Sequence, residues 1–286
     1  MIYAGLDEYL DTAPRPRSAG PVAILFCEDA VEVPSTLSHH AALGFEEIVT
    51  VGRAHDGGAE IDGQALSRIE MSVANRAEAA EVLNRLIARF AGRWIYWSFN
   101  GEYLFYPYMK SRRIADLTGF MEEERRDHVF TYVVDLYAAD LDKAPNGVSR
   151  ETAHLDGSGY YGFQRWEDGE PLDRQYDIFG GLAWRYEEFV PWERRRIDRV
   201  ALFKATEGLR IGEDLRLNEP EMNTISCPWH HNVTVAIASF RVAKSLKRNP
   251  GSTFEIPTFM WRRSVPFEWT DTQLMELGFM EPGQWF

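Results

Sequence analysis

Residues 22–51 read as strand, helix, strand, and that unit fixes the fold class. Val22-Ala23-Ile24-Leu25-Phe26 is apolar at every position. Such a run suits a strand buried on both faces, as in a parallel sheet. A helix is expected from about Pro34 to Leu43. Pro34 suits the first helical position, where its missing N–H costs nothing, and Gly44 suits the C-terminal cap. Ile48-Val49-Thr50-Val51 then forms a second strand. This order normally crosses over right-handed into parallel pairing, so an α/β sheet is expected.

The rest of the chain continues that alternation. Ile69–Val73 is a third strand candidate. Asn75 caps the clearest helix, with Glu78 three residues on, as in a capping box. Ala79, Val82, Leu83, Leu86, Ile87 and Phe90 mark its core face, and Gly92 ends it. Trp94–Phe99 and Glu102–Tyr106 read as two strands joined by Asn100-Gly101, a strong hairpin signal. Val129–Leu136 and Asp198–Lys204 are further strands, and residues 142–175 read as irregular. Val233–Ser245 is helical or mixed, and Thr270 or Asp271 caps a short last helix. Residues 1–21 read as an N-terminal arm.

Composition excludes some functions. The net charge of -13 disfavours nucleic acid and anionic membrane surfaces, although Arg194, Arg195, Arg196 and Arg199 cluster, as a Glu-paired solvated face. No apolar run reaches the length of a membrane span. The first residues lack a signal peptide's basic and apolar regions, and two cysteines make no disulfide framework. A cytoplasmic protein with no transmembrane segment is the expectation.

Several short motifs occur in order. The first are Cys27-Glu28-Asp29 and His39-His40-Ala41-Ala42-Leu43-Gly44-Phe45. Then come Phe99-Asn100-Gly101-Glu102-Tyr103-Leu104, Val134-Asp135-Leu136-Tyr137 and Phe179-Gly180-Gly181 with Arg185. Last are Val200 to Lys204, Trp229-His230-His231 and Ser239-Phe240-Arg241. Their order resembles a bacterial branch of the family 2 glycosyltransferases, over about 22–248. The resemblance implies a GT-A-like fold: a Rossmann-type, mostly parallel sheet flanked by helices, with an irregular acceptor-side half towards the C-terminus. It implies one domain over 22–286, divided into a nucleotide-sugar half (22–140) and an acceptor half with a tail (141–286). It implies transfer of a sugar from a nucleotide-sugar donor to a glycan or lipid-linked acceptor. A homo-oligomer stays open.

The chain departs from that family at its metal motif. Where the family carries Asp-x-Asp-Glu, this chain has Phe99-Asn100-Gly101-Glu102, and both aspartates are gone. A hard divalent cation, Mn²⁺ or Mg²⁺, normally answers the charge of a diphosphate leaving group. Glu102 is the surviving metal candidate. Donor-binding candidates are Glu28, Asp29, Asn100, Glu102, Arg185, Lys204, His230 and His231, the cations because Arg and Lys can bind a diphosphate directly. Asp177 and Asp135 are the candidates for the general base that deprotonates an acceptor hydroxyl. Tyr160, Tyr161, Trp166, Trp184 and Trp192 are candidates for a carbohydrate groove, or for core and interface anchors. His39-His40 reads as a packing or capping pair, and Cys27 as a small core residue. No Gly-x-Gly-x-x-Gly, Walker loop or nucleophile elbow occurs. A catalytically inactive protein of the same fold, acting as a binding or assembly module, is the alternative.

Overall fold

A computed structural model describes residues 1–14, 19–53, 65–225 and 231–285. It has the α/β fold expected, with a mixed, mostly parallel sheet flanked by helices. The chain forms two compact units, interleaved in sequence. The first comprises Met1–Tyr103, Met109–Val129 and Val200–Asn223; the second comprises Leu104–Tyr108, Phe130–Arg199 and Thr224–Phe286.

The first unit is built on β1 (Ile2–Tyr3), β2 (Val22–Phe26), β3 (Glu47–Val51), β4 (Ala65–Ile69) and β5 (Trp94–Phe99). Their order is β1-β4-β3-β2-β5, and every one of these pairs is parallel. Every residue of β2 and of β5 is buried, as the unbroken apolar run of β2 requires. Helix α2 (Val33–Ala42) follows β2, and α3 (Arg76–Arg89) leads into β5. The Asn75 carbonyl oxygen of the side chain accepts from the Glu78 N–H at 2.9 Å, so α3 is capped as read. Helix α4 (Ile114–Glu123) and the first unit's part of β11 (Asp198–Lys204) complete the unit; β11 runs antiparallel to β5.

Two readings are corrected here. Residues 1–21 hold more structure than an arm: β1 adds to the sheet, and α1 (Leu6–Thr12) buries Tyr9, whose hydroxyl donates to Glu47 at 3.1 Å. Asn100-Gly101 does not join a hairpin. β5 (Trp94–Phe99) pairs with β2 and β11, and β6 (Glu102–Phe105) lies at the far end of the strand order, not beside β5.

In the second unit, β7 (His128–Ala138) pairs in parallel with β12 (Val235–Ser239) and antiparallel with β8 (Ala153–Asp156). β13 (Ser264–Pro266) adds to β8. The stretch read as irregular therefore contains β8, β9 (Tyr161–Glu167) and most of β10 (Glu170–Phe179). β9 and β10 form a separate antiparallel ribbon. Its two-residue turn, Asp168-Gly169, has positive φ at both positions (50° and 85°), the type I′ geometry that matches strand twist. Short α5 (Gly181–Arg185) follows β10, and α6 (Arg241–Arg248) follows β12. Tyr137, Leu182, Ala243, Leu246 and Phe259 form a core cluster of this unit. Helices α7 (Pro250–Thr253) and α8 (Asp271–Glu276) complete the chain, the latter capped by Thr270.

Candidate functional site

The first unit brings four predicted site residues together. β3 lies on one side of β2 and β5 on the other, so the strand order reverses between β2 and β5. In open α/β sheets, ligands bind outside the carboxyl ends of the strands at such a reversal. Glu28 and Asp29 follow β2 there, and Asn100 and Glu102 follow β5.

Asn100 organises this edge. It is buried, its Oδ1 accepts from the Glu28 N–H at 2.9 Å, and its Nδ2 donates to Asp29 O at 3.1 Å, Asp29 Oδ1 at 2.8 Å and Val31 O at 2.8 Å. The side chain thus closes the loop after β2. Gly101 turns the chain with φ +78°, and its N–H donates to Thr36 Oγ1 at 2.9 Å. Glu102 is buried and accepts from the Phe99 N–H at 2.9 Å, which clamps the same turn. Glu28 stays exposed.

Beside them, Glu32 starts α2 in the left-handed region (φ 61°). Its carboxylate accepts from Ser35 Oγ and, at 2.9 Å, from the Tyr103 hydroxyl. Sequence reading missed Glu32 and Ser35, which no local pattern marks, and quoted Tyr103 only inside the motif at 99–104, with no role of its own. His39 packs edge-on against Tyr103, with ring centroids 5.4 Å apart, and His40 stacks on Tyr96 at 5.0 Å. His40 Nδ1 donates to the Thr36 carbonyl at 2.8 Å. Burial pushes its imidazole down to about 3, so the ring is a neutral core group.

Lys204 lies elsewhere in this unit, its Nζ 2.9 Å from Glu122. That bond, with one from Trp94 at 3.0 Å, holds the Glu122 carboxyl below its ordinary range.

In the second unit a buried polar network surrounds two carboxyls. Asp156 Oδ2 accepts from Arg185 Nε at 2.8 Å. Asp156 Oδ1 accepts from Tyr137 at 2.5 Å, from Trp261 Nε1 at 2.7 Å and from Arg185 at 3.2 Å. Arg185 also donates to Phe259 O at 2.8 Å and lies over the rings of Tyr137, Tyr186 and Trp261 at 5.2–5.5 Å. Its fork and its faces are thus committed within the unit.

Asp135 Oδ2 accepts from the N–H groups of Leu182 at 2.8 Å and Ala183 at 3.3 Å. Burial pushes this carboxyl up to about 7; Asp156 adds to the rise, while the two N–H donors and Arg185 oppose it. Gly181 (φ +65°) is required here, because a Cβ would sit 2.6 Å from Asp135 Oδ2. The Tyr160 hydroxyl is enclosed without a hydrogen-bond partner, and burial beside Asp156 and Asp135 raises its pKa. Sequence reading did not single out Asp156, which lies in the stretch read as irregular.

The other predicted residues stand apart from this network. Asp177, on β10, lies 3.7 Å from Arg165 and 3.8 Å from Arg196. His231 is exposed just before β12, and His230 lies outside the described residues. Among the described residues, no three His, Cys, Asp or Glu side chains group as they would around a metal ion, and no helix is long and apolar enough to cross a membrane.

Fold and site together define an α/β protein with a parallel-strand switch point in one unit and a buried acid network in the other. No family model matches the sequence, and no curated protein matches it. HddC from Yersinia pseudotuberculosis is similar in structure with a TM-score of 0.31 and 9% identity, over 79% of this chain and 79% of that one. An apo UDP-glucose pyrophosphorylase is similar with a TM-score of 0.29 and 10% identity, over 76% of this chain and 89% of that one. At these scores neither likeness carries an activity or a substrate to this chain.

Proposed function

We propose that this chain is a glycosyltransferase-like protein that engages a nucleotide-sugar at the β2/β5 reversal and serves a glycan or lipid-linked acceptor. One observation carries the reading: Glu28, Asp29, Asn100 and Glu102, far apart in sequence, meet at the carboxyl edge of parallel strands. Carboxylates at such an edge suit ribose hydroxyls or base N–H groups, which donate hydrogen bonds. They do not suit phosphate. Asn100 fixes the loop that presents them. Asp135, whose carboxyl burial raises to about 7, is the general-base candidate within the second unit.

The residues present do not fit a protein-held divalent ion. Glu102 spends an oxygen on the Phe99 N–H, and among the described residues no three His, Cys, Asp or Glu side chains group as ligands of an ion. No step is therefore routed through Mn²⁺ or Mg²⁺. A second reading, binding or assembly without transfer, is favoured by the same facts and by the pairing of Arg185 with Asp156 and of Lys204 with Glu122.

Titration calorimetry with UDP, GDP and CMP sugars, with and without Mn²⁺, tests the proposal. Binding of one donor, weakened by Glu28→Ala, is expected. No binding across the panel would refute it. Binding without sugar release or transfer would select the second reading.

A further inference from the structure

We infer that the β9–β10 ribbon, with Trp184 and Trp192, is a binding platform for an uncharged saccharide chain. This deepens the glycosyltransferase-like reading by naming the acceptor's chemistry and its place on the second unit.

Strand geometry builds the platform. Side chains alternate across a ribbon, and residues directly opposite share a face. Tyr161 stands opposite Phe179, and Phe163 opposite Asp177. Tyr161, Phe163 and Arg165 therefore share one face with Phe179 and Asp177, while Gly162, Gln164 and Trp166 take the other. Phe179 is the buried hub. Trp192 stacks on it at 4.7 Å, Trp184 meets it at 5.5 Å and Phe163 at 5.6 Å. Tyr161 joins through Trp184 at 5.7 Å.

The outer rings remain in water: Tyr161 is 50% exposed, Phe163 48% and Trp192 54%. Rings packed on a common hub are already ordered, so a ligand that covers them loses little further side-chain entropy. Aromatic faces match the C–H faces of pyranose rings. At the edge of the same face, Asp177 held by Arg165 and Arg196 supplies fixed acceptors and donors for hydroxyl groups.

Charge selects the ligand class. Residues 161–199, which hold the whole platform, carry seven arginines against nine Asp or Glu, a local charge of -2 on a chain of -13. The neighbouring Arg195 is paired with Glu187 at 3.0 Å. A surface so balanced repels anionic lipid and phosphate-rich polymers, whereas a hydroxyl-rich neutral chain pays no such cost.

The test uses the full chain. Neutral oligosaccharides of increasing length (gluco-, cello-, xylo- and manno-series) are titrated by calorimetry and by tryptophan fluorescence. Heparin fragments and phosphatidylglycerol vesicles are the anionic arms. Expected is binding to at least one neutral series that strengthens with chain length. Trp192→Ala and Phe163→Ala should each weaken it roughly tenfold, as truncating an aromatic anchor does, with unchanged circular dichroism. Trp166→Ala, on the opposite face, should leave it unchanged. Absence of binding to every neutral series overturns the inference. So does binding to vesicles instead, or a self-association in light scattering that Trp192→Ala abolishes. Donor titration of the same samples separates the two proposals. Saccharide binding without donor binding sinks only the transferase reading, and donor binding without saccharide binding sinks only the platform.

Discussion

Replacing Asn100 isolates how the candidate donor edge is held. The side chain is buried and exchanges four hydrogen bonds with residues 28–31. Asn100→Ala removes all of them. Three are short, at 2.8–2.9 Å, and a net value near 1 kcal/mol each would give about 3 kcal/mol. Glu28 is exposed and Asp29 partly so, and water replaces part of the loss, so about 2 kcal/mol is expected. Asn100→Asp should cost more at neutral pH, about 3 kcal/mol, because an oxygen then faces Asp29 O, Asp29 Oδ1 and Val31 O where an N–H₂ stood. That new carboxyl would have a raised folded pKa, so the folded state would hold a proton that the unfolded chain has lost. Asn100→Asp should therefore be less destabilised at about pH 5 than at about pH 8. Urea unfolding followed by circular dichroism measures all three quantities. If both variants lie within about 0.5 kcal/mol of wild type, Asn100 does not hold the loop, and the account of this edge is wrong.

Three other outcomes are expected. The Asp135 carboxyl is raised from 3.8 to about 7, so its contribution is complete below its unfolded value and is lost as pH rises towards 7. Wild type should lose up to about 4 kcal/mol over that interval relative to Asp135→Asn, read as the difference between their stability–pH curves. His40 is lowered from 6.5 to about 3, so its contribution is complete above its unfolded value and is lost as pH falls between those limits. His40→Gln should flatten the acid limb, as seen by thermal melts across pH. Arg185→Ala leaves Asp156 buried with part of its partners gone, which should cost about 3 kcal/mol. Arg185→Lys should recover part of this, since Lys lacks the planar fork and stacks poorly; denaturant midpoints measure both.

Turn chemistry shows how far local signals reach. Asn100-Gly101 and Asp168-Gly169 carry the same hairpin pattern, and the second alone closes a hairpin. At Asp168-Gly169 the flanking strands have free edges to pair. At Asn100-Gly101 the preceding strand already has β2 and β11 on its two sides. The dipeptide sets a reversal, and the availability of a strand edge decides what the reversal joins.

Read alone, the sequence determined the β2-α2-β3 unit, the cap of α3 and the α/β class. Each rests on residues close in the chain, where apolar period and capping chemistry act without reference to the rest. It also put forward Glu28, Asp29, Asn100 and Glu102 as donor-binding candidates, Glu102 as a metal candidate besides. Tertiary structure decided the remainder. Only folding brings Asn100 to the loop after β2, Arg185 to Asp156, and Trp192 to Phe179. The physical reason is that hydrogen bonding, charge pairing and desolvation depend on which distant groups become neighbours. No local period encodes that.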